Sequence, residues 1–240
     1  MQLPRAPRAV VFDMDGLLFD TEALYQEAIL SAARAAGHEM PPSVLQRLLG
    51  SPWLASRAML IEHYGEAFDL DALWAAWMRN FETLITDRHY MKPGVTELLD
   101  TLDGFGIPAA IATSSSQATV RRHLAAHGVS DRFRHVVGHG DYARGKPAPD
   151  PFLLAADRLQ VSPADCIALE DSHNGVRSAA AAGMMTIMVP DLLPATDDIA
   201  ALCVGVADNL HQVAMVVRGS VGAGSSAAAA ARQDRRRKYR

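Results

Sequence analysis

Two acid pairs and one lysine have the types and flanks that phosphoryl chemistry needs: Asp13 with Asp15, Glu170 with Asp171, and Lys146 in Gly145-Lys-Pro147. Each acid pair directly follows an apolar, strand-like run, Val10-Val-Phe12 in the first case and Ile167-Ala-Leu169 in the second. In Asp13-Met-Asp-Gly16 the side chains alternate at period two, which puts both carboxylates on one side of an extended segment. Gly16 then lets the backbone turn close to a ligand. Such oxygen donors suit a hard cation, Mg²⁺, which keeps waters and phosphate oxygens in its shell. Asp13 is placed to attack phosphorus and form an aspartyl phosphate. Asp15 can protonate the leaving oxygen and later deprotonate water. Lys146 offers a compact positive charge to Asp13 and to the transferring group. Thr113 and Ser114, at the end of a strand through Ile111-Ala112, offer hydroxyl and backbone N–H groups to phosphate oxygens. Asp171 completes the metal site, and Glu170 acts on the metal through a water. An acid after a buried strand also serves as a helix cap or turn former; the joint occurrence of all these residues argues for a site instead.

The elements that must position them follow from periodicity. A strand over 9–12 opens the chain, and after Gly16 a helix capped by Thr21 runs up to Gly37. Further helical patterns cover 43–49, 56–64 and 71–85, the last rich in core-type aromatics at Trp74, Trp77 and Phe81. No strand pattern occurs between Asp20 and about Met91, so this block reads as an inserted helical domain. From Lys92 onward helices and strands alternate, with strands expected at 108–112, 135–137, 166–169, 185–189 and 201–206 and a last helix at 210–217. The expected fold is α/β, a Rossmann-like doubly wound parallel sheet whose acids meet in one crevice beyond the carboxyl ends of the strands. The expected division is a core of 1–16 and 92–218, an α-helical cap of 17–91, and a disordered basic tail of 219–240. Gly16 and Pro93-Gly94 are the plausible hinges.

Composition frames this reading. The 240 residues are 49% hydrophobic and 6% aromatic, ordinary for a globular chain with a real core. No run of 18 apolar residues occurs, and the N-terminal strand is too short for a signal h-region, so a soluble, cytoplasmic protein with no membrane partner is expected. Cys166 and Cys203 read as small buried hydrophobes in a reducing compartment. The net charge of −4 conceals a basic end: Arg232–Arg240 carries six positive and one negative side chains, which leaves residues 1–231 at −9. A Gly/Ala/Ser-rich stretch precedes that run, so it reads as a solvated tail with no nucleic acid required. The nine histidines show no zinc-ligand spacing and suit surface or supporting roles.

With Ala112-Thr-Ser-Ser115 and Glu170-Asp-Ser-His-Asn-Gly175 added, four motifs stand in order, and the sequence resembles the haloacid dehalogenase superfamily of aspartate-nucleophile phosphotransferases over roughly residues 9–215. The helical insert resembles the α-helical cap of subfamily I, which closes over the core and excludes water. The resemblance implies Mg²⁺ held by the Asp13 side chain, the Asp15 backbone carbonyl and the Asp171 side chain, and substrate phosphate against Gly16, Thr113, Ser114, Ser115 and Lys146.

Within that superfamily, Asp15 argues against dehalogenation, and the absence of lysine from 17–91 argues against Schiff-base phosphonate hydrolysis. β-Phosphoglucomutases carry a histidine and a cap arginine where this chain has Tyr25 and Trp53. Asp20–Tyr25 and Met188-Val-Pro-Asp191 look closer to phosphatases of small metabolites such as pseudouridine 5′-phosphate, glycerol phosphate or phosphosugars. The expectation is a Mg²⁺-dependent phosphomonoester hydrolase acting on a small phosphorylated metabolite, with a β-phosphoglucomutase-type mutase as the alternative. Glu22, Tyr25, Trp53 and Arg57 are candidate substrate contacts, against simple packing within the cap. A receiver-like phospho-signalling module is a remote alternative, since its acceptor would end a central strand and no large helical insert would follow. Sequence leaves monomer and dimer open.

Overall fold

The computed structural model describes residues 1–48, 53–66, 68–87 and 90–222. They divide into two units, one of Met1–Phe19 with Met91–Arg240 and one of Asp20–Tyr90.

The first unit is built on β1 (Ala9–Phe12), β2 (Ala109–Ser116), β3 (His135–His139), β4 (Cys166–Glu170), β5 (Met185–Met188) and β6 (Gly205–Val206). All pair in parallel, in the order β3-β2-β1-β4-β5-β6. β1, β4 and β5 are buried along their whole length, which explains their mostly apolar sequences, broken only by Glu170 and Thr186: helices cover both faces of a parallel sheet. The chain leaves β1 to build β2 and β3 on one side, then returns to build β4 on the other. The order therefore reverses beside β1, where open α/β sheets bind ligands. Residues 95–105, 117–126, 150–159 and 173–181 supply the connecting helices; with α1–α4 reserved for the second unit, these are α5 to α8. Phe152 of α7 is fully buried against Val11, Ala110 and Ala168.

Several expectations are corrected here. The chain does not enter a helix after Gly16: residues 14–19 form a tight turn, with Leu18 N–H donating to Met14 O and Gly16 N–H to Phe19 O, both at 2.9 Å. Helix α1 (Thr21–Ala35) starts later, with Asp20, not Thr21, at the cap position and no side-chain cap bond. The strand expected at 201–206 shrinks to Gly205–Val206, because α9 (Asp197–Ala200) precedes it and Leu202 and Cys203 N–H bond back to Ile199 O and Ala200 O. The last helix spans 210–222, so residues 219–222 continue it rather than opening a disordered tail; residues 223–240 lie outside the described residues. Leu17, Leu18, Phe19 and Met91 group with the sheet unit, as Lys92 N–H donating to Leu18 O at 2.9 Å illustrates.

The second unit is helical throughout, with α1, α2 (Pro42–Leu48), α3 (Trp53–Tyr64) and α4 (Leu70–Asp87). Its core joins Ile29, Ala32, Ala33, Met40, Val44, Leu48, Leu60, Leu70 and Leu73. Trp77 Nε1–H donates to Tyr25 O at 3.1 Å and Asn80 Nδ2–H to Ala28 O at 3.3 Å, which locks α4 to α1. Among the described residues, no helix is long and apolar enough to cross a membrane.

Candidate active site

Parallel pairing of β1 and β4 in register, Phe12 beside Leu169, sets Asp13 next to Glu170, and Asp13 N–H donates to Leu169 O at 2.9 Å. Lys146 inserts its ammonium between them, donating to Asp13 Oδ1 and, at 2.5 Å, to Glu170 Oε1. The ammonium side chain is 8% exposed and rests over the Phe152 ring, 5.1 Å from its centroid. Burial opposes its charge, yet Asp13 and Glu170 outweigh burial and hold Lys146 protonated above the ordinary lysine value. Asp13 is pushed up to about 7, by burial first and by the neighbouring charges of Glu170 and Asp15, with Lys146 pulling the other way.

Asp171 is pushed up to about 9, again by burial foremost and then by Asp13 and Glu170. It crowds the turn after β1: a Cβ on Gly16 would meet Asp171 Oδ2 at 2.3 Å, and Gly16 has φ +81°. Glycine is thus required there on two counts. Glu170 is fully enclosed, its Oε2 accepting from Ser172 Oγ at 3.1 Å and from the N–H groups of Asp171 and Ser172 at 3.2 and 3.3 Å. Gly175, in the first turn of α8, makes room for this, since a Cβ would lie 1.8–2.0 Å from the Glu170 carboxylate.

Asp13, Glu170 and Asp171 present oxygens within 4.8 Å of one another. Three carboxylates with one ammonium leave uncompensated negative charge, which adds to burial in driving Asp13 and Asp171 toward protonation. An all-oxygen set of this charge fits a hard divalent cation of the Mg²⁺ kind. With both Glu170 oxygens already bonded, Asp13 and Asp171 are the side chains with capacity to hold it.

Asp15 is reached from β2. The pairing of β2 with β3 shifts register between Ala112 and Ser116, an irregularity of the kind that re-aims side chains beside active sites. Thr113 is consequently buried, its Oγ1 accepting from Ser115 N–H at 3.1 Å and its carbonyl from Tyr142 O–H at 3.1 Å, while Ser114 is exposed. Ser115, not Ser114, reaches the acid pair: its Oγ donates to Asp15 Oδ2 at 2.7 Å. Sequence reasoning named Ser115 only through the motif and gave no sign of this bond.

Two further groups were missed. His123 of α6, expected at the surface or in support, is 1% exposed and stacks on Phe19 with ring centroids 5.5 Å apart; burial lowers its pKa against the attraction of Asp15. Lys92 pairs with Asp191 at 2.5 Å beside the Gly16 turn. Cys166 is buried as expected, its thiol pushed up to about 11 by burial, whereas Cys203 is only half-buried.

In the helical unit Glu22 lies partly buried in the first turn of α1. Tyr25 stacks on Phe81 at 3.9 Å between centroids and meets Trp77 edge-on at 5.9 Å. Arg57 pairs with Asp71 at 3.1 Å. Trp53 opens α3, and its side chain lies outside the described residues.

Residues 7–183 match the family model of haloacid dehalogenase-like hydrolases. A Drosophila melanogaster protein named "Probable pseudouridine-5'-phosphatase" is 39% identical over 191 residues, covering 75% of this chain and 80% of that one. A Thermotoga maritima protein named "Phosphorylated carbohydrates phosphatase" is 31% identical over 179 residues, 75% of this chain and 83% of its own. Among solved structures, a Thermotoga maritima protein provisionally named a β-phosphoglucomutase superposes with a TM-score of 0.79 at 28% identity, covering 88% of this chain and 99% of that one. The buried aspartate–lysine–glutamate centre therefore sits in the sheet of a known enzyme class: the chain belongs to the haloacid dehalogenase-like hydrolases, as an enzyme of their phosphatase group.

Proposed function

We propose that the enzyme is a Mg²⁺-dependent phosphomonoester hydrolase that works through an aspartyl phosphate on Asp13, with a small sugar, polyol or nucleoside phosphate as substrate. The observation that carries this reading is the single Lys146 ammonium shared by Asp13 and Glu170 next to an Asp15 held by Ser115. Lys146 favours the ionised Asp13 that attack requires, and it remains as a cation beside the transferring group. An Asp13 oxygen bonds to phosphorus as the ester P–O bond breaks, and Asp15 gives its proton to the leaving oxygen. Water then attacks phosphorus, Asp15 takes its proton, and Asp13 is released with inorganic phosphate. Ser115 keeps Asp15 aimed during both transfers, and Glu170 keeps Lys146 in place. Asp13 and Asp171 would hold the Mg²⁺, which when bound would neutralise charge on the phosphate. The names of the relatives, which specify pseudouridine 5′-phosphate and phosphorylated carbohydrates, support the substrate class.

A mutase is the second reading, favoured by the likeness to the Thermotoga structure. It needs a cation to grip the second phosphate of a bisphosphate intermediate; Arg57 and Arg47 are both paired within the helical unit, to Asp71 and to Glu62. One assay separates the two. Purified protein with Mg²⁺ is offered phosphorylated metabolites, including β-glucose 1-phosphate with a trace of glucose 1,6-bisphosphate. Phosphate release that EDTA abolishes is expected. Glucose 6-phosphate formed without net phosphate release would overturn the hydrolase in favour of the mutase.

A further inference from the structure

Asp191 follows β5 in Met188-Val-Pro-Asp191 and has no part in the reaction as derived above. Its two carboxylate oxygens differ sharply. Oδ1 accepts from Lys92 Nζ at 2.5 Å. Oδ2 is fully enclosed and, among the described residues, has no hydrogen-bond partner. A buried carboxylate oxygen without a donor is expensive, and it usually marks the place of a water or ion. Here its direction is informative. The Cβ position of Gly16 lies 3.3 Å from Asp191 Oδ2 and 2.3 Å from Asp171 Oδ2, so oxygens arriving from the ends of two neighbouring strands converge on one point beside the acid cluster. Yet Asp191 does not belong to the group of acids whose oxygens lie mutually within 4.8 Å. It stands one layer further out. Mg²⁺ keeps several waters when side chains bind it, and each of those waters needs an acceptor. The residue that would supply one is already immobilised: Lys92 fills Oδ1, and Lys92 N–H is itself tied to Leu18 O in the turn that carries Asp15 and Gly16.

We propose that Asp191 is a positioning residue for the cation, its Oδ2 accepting from the hydration shell of a Mg²⁺ held by Asp13 and Asp171, with Lys92 fixing the carboxylate in that orientation. The inference rests on the Mg²⁺ reading of the site and extends it to two residues outside the four motifs.

The test is calorimetric titration of metal-stripped, full-length protein with Mg²⁺ alone, comparing wild type, Asp191→Asn and Asp171→Asn, with the metal-free Tm measured alongside. Loss of a partner at this distance from a metal weakens affinity by about 10-fold to 100-fold. The expected result is therefore a Mg²⁺ Kd raised by about 10-fold or more in Asp191→Asn, with metal-free Tm unchanged or higher, and no measurable binding in Asp171→Asn. Unchanged Mg²⁺ affinity in Asp191→Asn, with binding lost in Asp171→Asn, overturns the role of Asp191 and leaves the metal site standing. Wild-type affinity in Asp171→Asn removes the metal reading and this inference with it. Should Asp191→Asn not fold, Asp191→Ser, which leaves room for solvent, replaces it in the same comparison.

Discussion

The two units of this chain treat their polar side chains in opposite ways. In the sheet unit Asp13, Lys146, Glu170 and Asp15 are held at strand ends by bonds to residues distant in sequence, with backbone turns and glycines shaped around them. In the helical unit the residues expected to meet substrate are engaged by ring packing and surface charge: Tyr25 lies on Phe81 and against Trp77, and Arg57 forms a solvent-exposed pair with Asp71. The proposed reaction thus falls to side chains fixed by the fold of one unit, whereas the other has an apolar core with exposed ion pairs at its surface. Chemistry should be intolerant of change in the first unit, and substrate preference adjustable in the second.

Asp13→Asn tests the contrast most severely. Turnover should fall by at least about 10⁴-fold with the fold retained by circular dichroism, as for loss of a nucleophile that acts as part of a unit. Near-wild-type turnover would remove the covalent mechanism. Lys146→Met should abolish activity and also destabilise the metal-free protein by about 3 kcal/mol, because two buried carboxylates lose the ammonium they share. Denaturant unfolding reads this directly. Gly175→Ala sharpens the comparison between units. Glycine to alanine inside a helix normally stabilises by about 1 kcal/mol; here the methyl group meets the Glu170 carboxylate, and a loss of about 2 kcal/mol is expected with activity falling in parallel. Stabilisation would mean that Glu170 moves freely.

The acid cluster also sets a pH dependence. In the metal-free protein Asp171 titrates near 9 and Asp13 near 7, both raised from 3.8, so the folded chain keeps protons that the unfolded chain releases. The stability they contribute is complete below the unfolded value of 3.8 and is lost as pH rises through 7 and 9. Scanning calorimetry of EDTA-treated protein should show Tm declining from pH 5 to 9, and Mg²⁺ should raise Tm more at pH 9 than at pH 6. The smallest effect belongs to Tyr25→Phe, which keeps the ring stack on Phe81. Only the ranking of substrates by KM should move, by a few-fold at most, with kcat on the best substrate unchanged; a collapse of kcat would place catalysis in the helical unit.

How legible all this was follows from the same contrast. Acids after apolar runs, and the switch from helical period to alternating strands and helices, disclosed the parallel sheet, the helical insert and the meeting of Asp13, Lys146 and Glu170. Those signals are local in sequence. Ser115 on Asp15, Lys92 on Asp191 and His123 under Phe19 join positions about a hundred residues apart, and no spacing rule encodes such meetings. The 14–19 turn was hidden because Leu17-Leu-Phe19 continues a pattern compatible with a helix, although the three side chains bury into the sheet unit. Residues 201–206 failed for the reason short apolar runs usually do: the same residues serve a strand or a turn, and preceding helix α9 decided the matter.

The lysine at the centre has a practical consequence for labelling. Only three lysines occur in the chain, Lys92, Lys146 and Lys238. Amine reagents attack the neutral amine, and Lys146 is enclosed and held in its charged form by two carboxylates. Lys92 is tied to Asp191 and largely covered. Dyes, surface linkers and biotin esters should therefore leave the Lys146 ammonium untouched and react little at Lys92.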